Sequence, residues 1–207
     1  MPFITFEGVE GSGKSTQLSL LAERLSAGGI PIRRTREPGG TPLGGRLRTI
    51  LLDPSTGRLE PLAEFLLFEA DRRQHVQDVI RPGLQAGEWI LCDRFSDSTE
   101  AYQCAGRGLD AGWVAAVDSR VREGLVPDLT LLFDVPPADG LARTRRRDAR
   151  EGRFESEELA FHERVSRAFQ AIARREPARV AVIDARAEVA TVAELAWSAV
   201  ARRFGLS

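Results

Sequence analysis

Gly8-Val9-Glu10-Gly11-Ser12-Gly13-Lys14-Ser15 fits the spacing G-x-x-x-x-G-K-[ST] and lies between an apolar run and a helical pattern. Its three glycines let the backbone turn tightly enough for successive N–H groups to point inward, and a helix starting here adds the positive end of its dipole. The spacing predicts a phosphate cradle running from Gly8 to Thr16. Lys14 is placed to reach the β- and γ-phosphates of a nucleotide, and the Ser15 hydroxyl to ligate Mg²⁺. Of the 29 basic residues Lys14 is the only lysine. A compact ammonium fits between phosphates where a planar guanidinium does not, so its survival in an arginine-rich chain supports a chemical requirement.

Upstream, Pro2-Phe3-Ile4-Thr5-Phe6-Glu7 reads as a short buried strand; downstream, Leu18, Leu21, Ala22 and Leu25 recur at helical spacing over 15–27. Gly28-Gly29 ends that helix, and a second strand from Ile30 runs into Thr35-Arg36-Glu37-Pro38-Gly39-Gly40-Thr41. Ligands sit in loops at the carboxyl ends of strands in open α/β sheets, which makes Arg36 and Glu37 candidates for the phosphate region. Helices are expected over 43–52 and 61–84, the longer with Leu62, Phe65, Leu66, Phe68 and Val76 on its apolar side. Phe68 and Arg72 are four apart and share a face, an arrangement able to stack on a base and hydrogen-bond to it.

The strand over 88–94 ends in Asp93, suited to holding hydrated Mg²⁺ opposite the cradle, with Arg94 beside it for a phosphate. A helix over 96–103 then carries Ser98, Thr99, Tyr102 and Gln103, and an amphipathic helix over 111–122 carries Trp113, Val117 and Val121. A strand over 128–134 precedes the densest basic run, with Arg143, Arg145, Arg146, Arg147, Arg150 and Arg153 among interleaved acids. An arginine-bearing lid over a nucleotide, at about 143–155, fits this run better than a nucleic-acid track, which wants aromatic platforms. A helix over 158–175, a fifth strand over 180–184 and a helix over 188–204 close the chain. This alternation predicts an α/β fold, a three-layer sandwich of a five-stranded parallel sheet with helices on both faces.

Length and balance suit one domain over 1–207, with 43% hydrophobic and 29% charged residues. A net charge of −1 advertises neither a nucleic-acid nor a membrane surface. Cys92 and Cys104 lack metal-ligand spacing and are read as packing residues, and His75 and His162 form no obvious cluster with them. The chain enters a strand directly and no apolar run reaches spanning length, so a cytoplasmic protein is expected.

In order and spacing, Phe6-Glu7-Gly8 with the cradle, the 35–41 loop, Leu66-Leu67-Phe68 before Arg72, and Asp93-Arg94-Phe95 before Ser98, Ala101, Tyr102 and Gln103 resemble the thymidylate kinase family, in its bacterial form. The resemblance runs nearly end to end. It implies transfer of phosphate from ATP, with Mg²⁺, to dTMP, giving dTDP on the way to dTTP. It implies Phe68 stacked on thymine, Arg72 on its exocyclic oxygen, Thr99 and Gln103 at the base, and Tyr102 crowding the 2′ position of the sugar. Arg48 and Arg94 would hold the dTMP phosphate, with Ser98 and Glu37 nearby, while Lys14 and Ser15 serve ATP and Mg²⁺. Glu7 and Asp93 are the candidate carboxylates around the ion. Residues 184–186 would border adenine, and a homodimer is implied.

Glutamate at the position of Glu10 resembles members that supply a catalytic arginine from the lid. Here Gly152-Arg153-Phe154-Glu155 lacks the aspartate many relatives carry before that arginine, which leaves Arg147, Arg150 and Arg153 as candidates. The rivals are another kinase on the same scaffold and a nucleotide-dependent switch. A guanine-type switch is disfavoured, because an N-K-x-D motif is impossible when Lys14 is the only lysine.

Overall fold

The computed structural model of the chain describes residues 1–147 and 152–206. Five strands, β1 (Phe3–Glu7), β2 (Ile32–Arg36), β3 (Trp89–Asp93), β4 (Leu129–Asp134) and β5 (Val180–Asp184), form one sheet in the order β2-β3-β1-β4-β5. All four pairings are parallel. The helices are α1 (Lys14–Ala27), α2 (Pro42–Leu52), α3 (Pro61–His75), α4 (Arg81–Gln85), α5 (Ser96–Thr99), α6 (Ala111–Val121), α7 (Pro137–Arg147), α8 (Leu159–Arg175) and α9 (Val189–Phe204). The expected α/β sandwich is what the chain forms.

Strand alternation sorts the core. Ile4, Phe6 and Leu91 join a large buried cluster with Leu18, Leu21 and Leu25 of α1, whereas Phe3, Ile90 and Cys92 enter a second with Val76, Ile80 and Phe95. Cys92 is thus a packing residue, and both cysteines are free thiols. By the same alternation Glu7 and Asp93, at the carboxyl ends of adjacent strands, leave the sheet on opposite faces.

The helix expected over 61–84 is divided. It is α to His75, passes through a π-turn at Val76–Ile80 and resumes as α4, which has a proline in its first turn. Pro82 offers no N–H to the ladder, and a wider turn absorbs the missing bond. The helix begun at Ser96 likewise widens to π over Glu100–Gly106, the segment holding Tyr102 and Gln103. Leu62 and Leu66, expected on the apolar face of α3, are exposed, as is Trp113 on α6. The buried face of α3 instead carries Glu64, Phe65, Glu69, Asp71, Arg72 and His75.

Candidate active site

The cradle is bent as its glycines require. Gly8, Gly11 and Gly13 have φ of 139°, 68° and 90°, and a Cβ on Gly8 would lie 2.5 Å from the Phe133 carbonyl oxygen. A Cβ on Gly11 would strike the Gly140 carbonyl, so the loop is seated directly on α7. Among the described residues no side chain caps the N-terminus of α1, where the first N–H groups of a helix suit an anion. Lys14 curls back over the loop, its Nζ donating to the carbonyls of Gly8 at 3.0 Å and Val9 at 2.8 Å and to Ser12 Oγ at 3.2 Å. Burial, with the Arg94 charge nearby, brings the ammonium down to about 8 against the pull of Asp93, Glu10 and Glu7. Ser15 and Thr16 are exposed at the mouth.

The two carboxylates expected around an ion part company. Ser15 Oγ donates to Asp93 Oδ2 at 2.6 Å, putting a hydroxyl and a carboxylate side by side beneath the cradle. Glu7 is fully buried on the other face, accepting from the Phe95 N–H at 2.8 Å and from Ser98 Oγ at 2.6 Å. Burial and the nearby Asp97 charge push Glu7 up to about 7. The reason is strand alternation, which aims Asp93 at α1 and Glu7 at α5. Between pH 4.5 and 7 the folded state therefore holds a proton that the unfolded state has released, and Glu7 makes folding less favourable as pH rises through that window. Glu7→Gln is expected to gain melting temperature relative to the parent between pH 5 and pH 8; thermal unfolding of both proteins at the two pH values measures it.

Arg94 sits at φ 70°, a left-handed conformation that non-glycine residues adopt at a cost. It aims the guanidinium into the cavity, where Nη1 donates to Ser98 Oγ at 3.0 Å and Nη2 to Tyr102 Oη at 3.1 Å and Glu10 Oε1 at 3.2 Å. Tyr102 Oη in turn donates to Glu10 Oε1 at 2.6 Å, and His162 Nδ1 lies 3.2 Å from Glu10 Oε2. Burial alone would raise Glu10, yet His162, the charges of Arg94 and Lys14, and Tyr102 hold it down at about 2. Arg48 donates to the Pro38 carbonyl at 2.8 Å and, with Arg36, rims the same cavity.

That cavity, of about 410 Å³, runs from Gly11, Gly13, Lys14, Ser15 and Thr16 past Asp93 and Arg94 to a far end walled by Phe68, Tyr102 and Phe154. The Phe154 ring lies 6.2 Å from that of Phe68 and 5.5 Å from that of Tyr102. At this end Arg72 is held by four residues: Nε by Glu37 at 2.9 Å, and Nη1 by Glu69 at 2.6 Å, Thr99 at 2.8 Å and Asp118 at 2.8 Å. Glu37, expected beside the phosphate, is spent on Arg72 and on His75, whose Nδ1 is 2.8 Å away.

The lid candidates divide. Arg153 faces away from the cavity, donating from Nε to the Leu51 carbonyl at 2.7 Å and from Nη2 to Glu64 at 2.5 Å. Arg150 and the side chain of Arg147 lie outside the described residues. Asp184 and Arg186 line a separate cleft, where they pair at 2.6 Å. Sequence reasoning missed Glu64, Glu69, Phe154 and Asp118. The signal for the first was its place at helical spacing on the same face as Phe68, Arg72 and His75.

Comparison with known proteins agrees with this geometry. The family model described as thymidylate kinase matches residues 6–195. A thymidylate kinase of Solidesulfovibrio magneticus is 51% identical over 206 residues, covering 97% of this chain and 99% of its own. One from Deinococcus radiodurans is 50% identical over 202 residues, covering 97% of each. The crystal structure of thymidylate kinase from Ehrlichia chaffeensis superposes with a TM-score of 0.79 at 35% identity, over 96% of this chain and 98% of that one. A phosphate cradle joined by one cavity to an aromatic, arginine-bearing recess, in a chain matched over nearly its whole length, places the protein in the thymidylate kinase family.

Proposed function

We propose that this chain phosphorylates dTMP to dTDP, with ATP as donor and Mg²⁺ as the accompanying ion. One observation carries the reading: the cradle and the aromatic recess are ends of a single cavity, with Arg94 between them. A monophosphate seated with its base stacked on Phe68 brings its phosphate to Arg94 and Arg48, facing Lys14. Tyr102, 5% exposed and tethered to Glu10, walls the sugar and disfavours a 2′-hydroxyl.

The acceptor is a phosphate oxygen already ionised at neutral pH, so the site needs no strong general base. Its work is to hold two anionic nucleotides in line and offset their repulsion. Lys14 leaves the carbonyls of Gly8 and Val9 for the phosphates, and Arg94 holds the acceptor phosphate. Ser15 and Asp93, one hydrogen bond apart, suit Mg²⁺, which keeps most of its waters and takes few protein ligands. The ion supplies charge neutralisation at the phosphates. Phe154 and Thr144 of α7 line the cavity on the side of the proposed lid at about 143–155, of which residues 148–151 lie outside the described residues, within a single kinase domain over 1–207.

A homodimer accounts for the apolar face. Leu43 and Ile50 of α2, Leu62 and Leu66 of α3 and Trp113 of α6 are exposed on helices that pack side by side. Leu66→Glu is expected to convert a dimer to a monomer in sedimentation velocity; unchanged sedimentation removes this face from the interface. Among the described residues no helix is long and apolar enough to cross a membrane.

The test of function is incubation with Mg-ATP and, separately, dTMP, dUMP, UMP, CMP, AMP and GMP, following ADP and the diphosphate product. Preferential dTDP formation is expected. Preferential turnover of another monophosphate overturns the base reading, and ATP hydrolysis without a phosphorylated product favours the nucleotide switch.

A further inference from the structure

Glu64 belongs to α3 and is fully buried below the recess. Its Oε1 accepts from Gln103 Nε2 at 3.1 Å and Arg107 Nε at 3.1 Å. Its Oε2 accepts from Arg107 Nη2 at 3.2 Å and Arg153 Nη2 at 2.5 Å. A carboxylate between two guanidinium groups is an acceptor only, so it takes the amide nitrogen of Gln103 and repels the amide oxygen. Gln103 lines the cavity, and its Oε1 has no hydrogen-bond partner among the described residues. The carbonyl end is therefore the one offered to a ligand.

Arg72, which lines the same cavity, has committed Nε and Nη1 to protein acceptors, which leaves Nη2, without a hydrogen-bond partner among the described residues, as a donor. A donor and an acceptor lining one recess match a base edge on which a carbonyl adjoins a ring N–H, as in thymine and uracil. Cytosine presents the reverse order, an amino group beside a bare ring nitrogen, and leaves both protein groups unpaired.

We propose that Glu64 is a specificity-determining positioning residue: by fixing the Gln103 amide it sets the polarity of the base-reading pair. Through Arg153, whose backbone N–H also reaches the Leu52 carbonyl at 3.2 Å, it ties that pair to the segment carrying Phe154. The proposal rests on the dTMP kinase reading above.

Glu64→Gln keeps the shape of the side chain and allows Gln103 to turn either amide end to the cavity. The kcat/KM for dTMP is expected to fall about 10- to 100-fold, mainly through KM, and the dTMP-to-dCMP ratio at least about tenfold. In a Gln103→Leu background the same change is expected to move that ratio less than about twofold, because its effect runs through Gln103. Glu64→Asp keeps the charge between the arginines, withdraws the oxygen from Gln103 and is expected to shift the ratio in the same direction; it serves if Glu64→Gln does not fold. An unchanged dTMP-to-dCMP ratio in a folded variant, or an equal shift with Gln103 removed, overturns the proposal. A parent enzyme that leaves dTMP unphosphorylated overturns the underlying reading instead.

Discussion

Lys14→Met is expected to lower kcat by about 10²- to 10³-fold while the far-ultraviolet circular dichroism stays that of the parent. The size follows from geometry. Lys14 Nζ is held by two carbonyls and one hydroxyl of the cradle, so it reaches the phosphates whose charge it offsets by exchanging one set of oxygen acceptors for another. Lys14→Arg is expected to fail nearly as badly, because a planar guanidinium cannot occupy the space between the Gly8 and Val9 carbonyls and Ser12. Burial has brought the amine down to about 8, so the free enzyme loses its phosphate-seeking charge as pH rises through that value. The kcat/KM for ATP is expected to fall above pH 8 in the parent and to lose that limb in Lys14→Met. A folded Lys14→Met variant with turnover within a few-fold of the parent removes the lysine from the mechanism.

What the sequence disclosed, and what it withheld, follows from the range of the interactions. The cradle was legible because its chemistry lies within eight consecutive residues, and four of the five strands because their apolar runs are local; β2, Ile32-Arg33-Arg34-Thr35-Arg36, has no such run. The site's polar interior was not. Arg72 could be proposed as a base contact from its spacing, but not the groups that hold it: Glu37, Thr99 and Asp118 come from 35, 27 and 46 residues away. Arg153 looked like a lid cation, yet its fate is decided by a carboxylate 89 positions distant. The separation of Glu7 from Asp93 depends on the register that pairs Phe6 with Asp93, which no single strand encodes. Leu62, Leu66 and Trp113 show the same limit from the surface: their spacing marks an apolar face without saying whether the core or another copy covers it.

Arg94 is where backbone and chemistry are joined most tightly, and its two substitutions should separate them. Arg94→Ala is expected to lower kcat/KM for dTMP by about 10²- to 10³-fold, since it removes the cation proposed to hold the acceptor phosphate. Arg94→Gly is expected to be as inactive but more stable than Arg94→Ala by about 1 kcal/mol, because at φ 70° glycine escapes the strain that alanine retains. Both leave Glu10 with only Lys14, Tyr102 and His162, so its carboxyl should rise from about 2 towards its usual range. A depressed carboxylate stabilises the fold above its unfolded pKa and loses that contribution as pH falls towards the folded value. The stability cost of removing Arg94 should thus be larger at pH 7 than near pH 3, measured by urea unfolding of parent and variants. Equal costs at the two pH values would show that Arg94 is not what holds Glu10 ionised, and would leave the phosphate contact as its sole role.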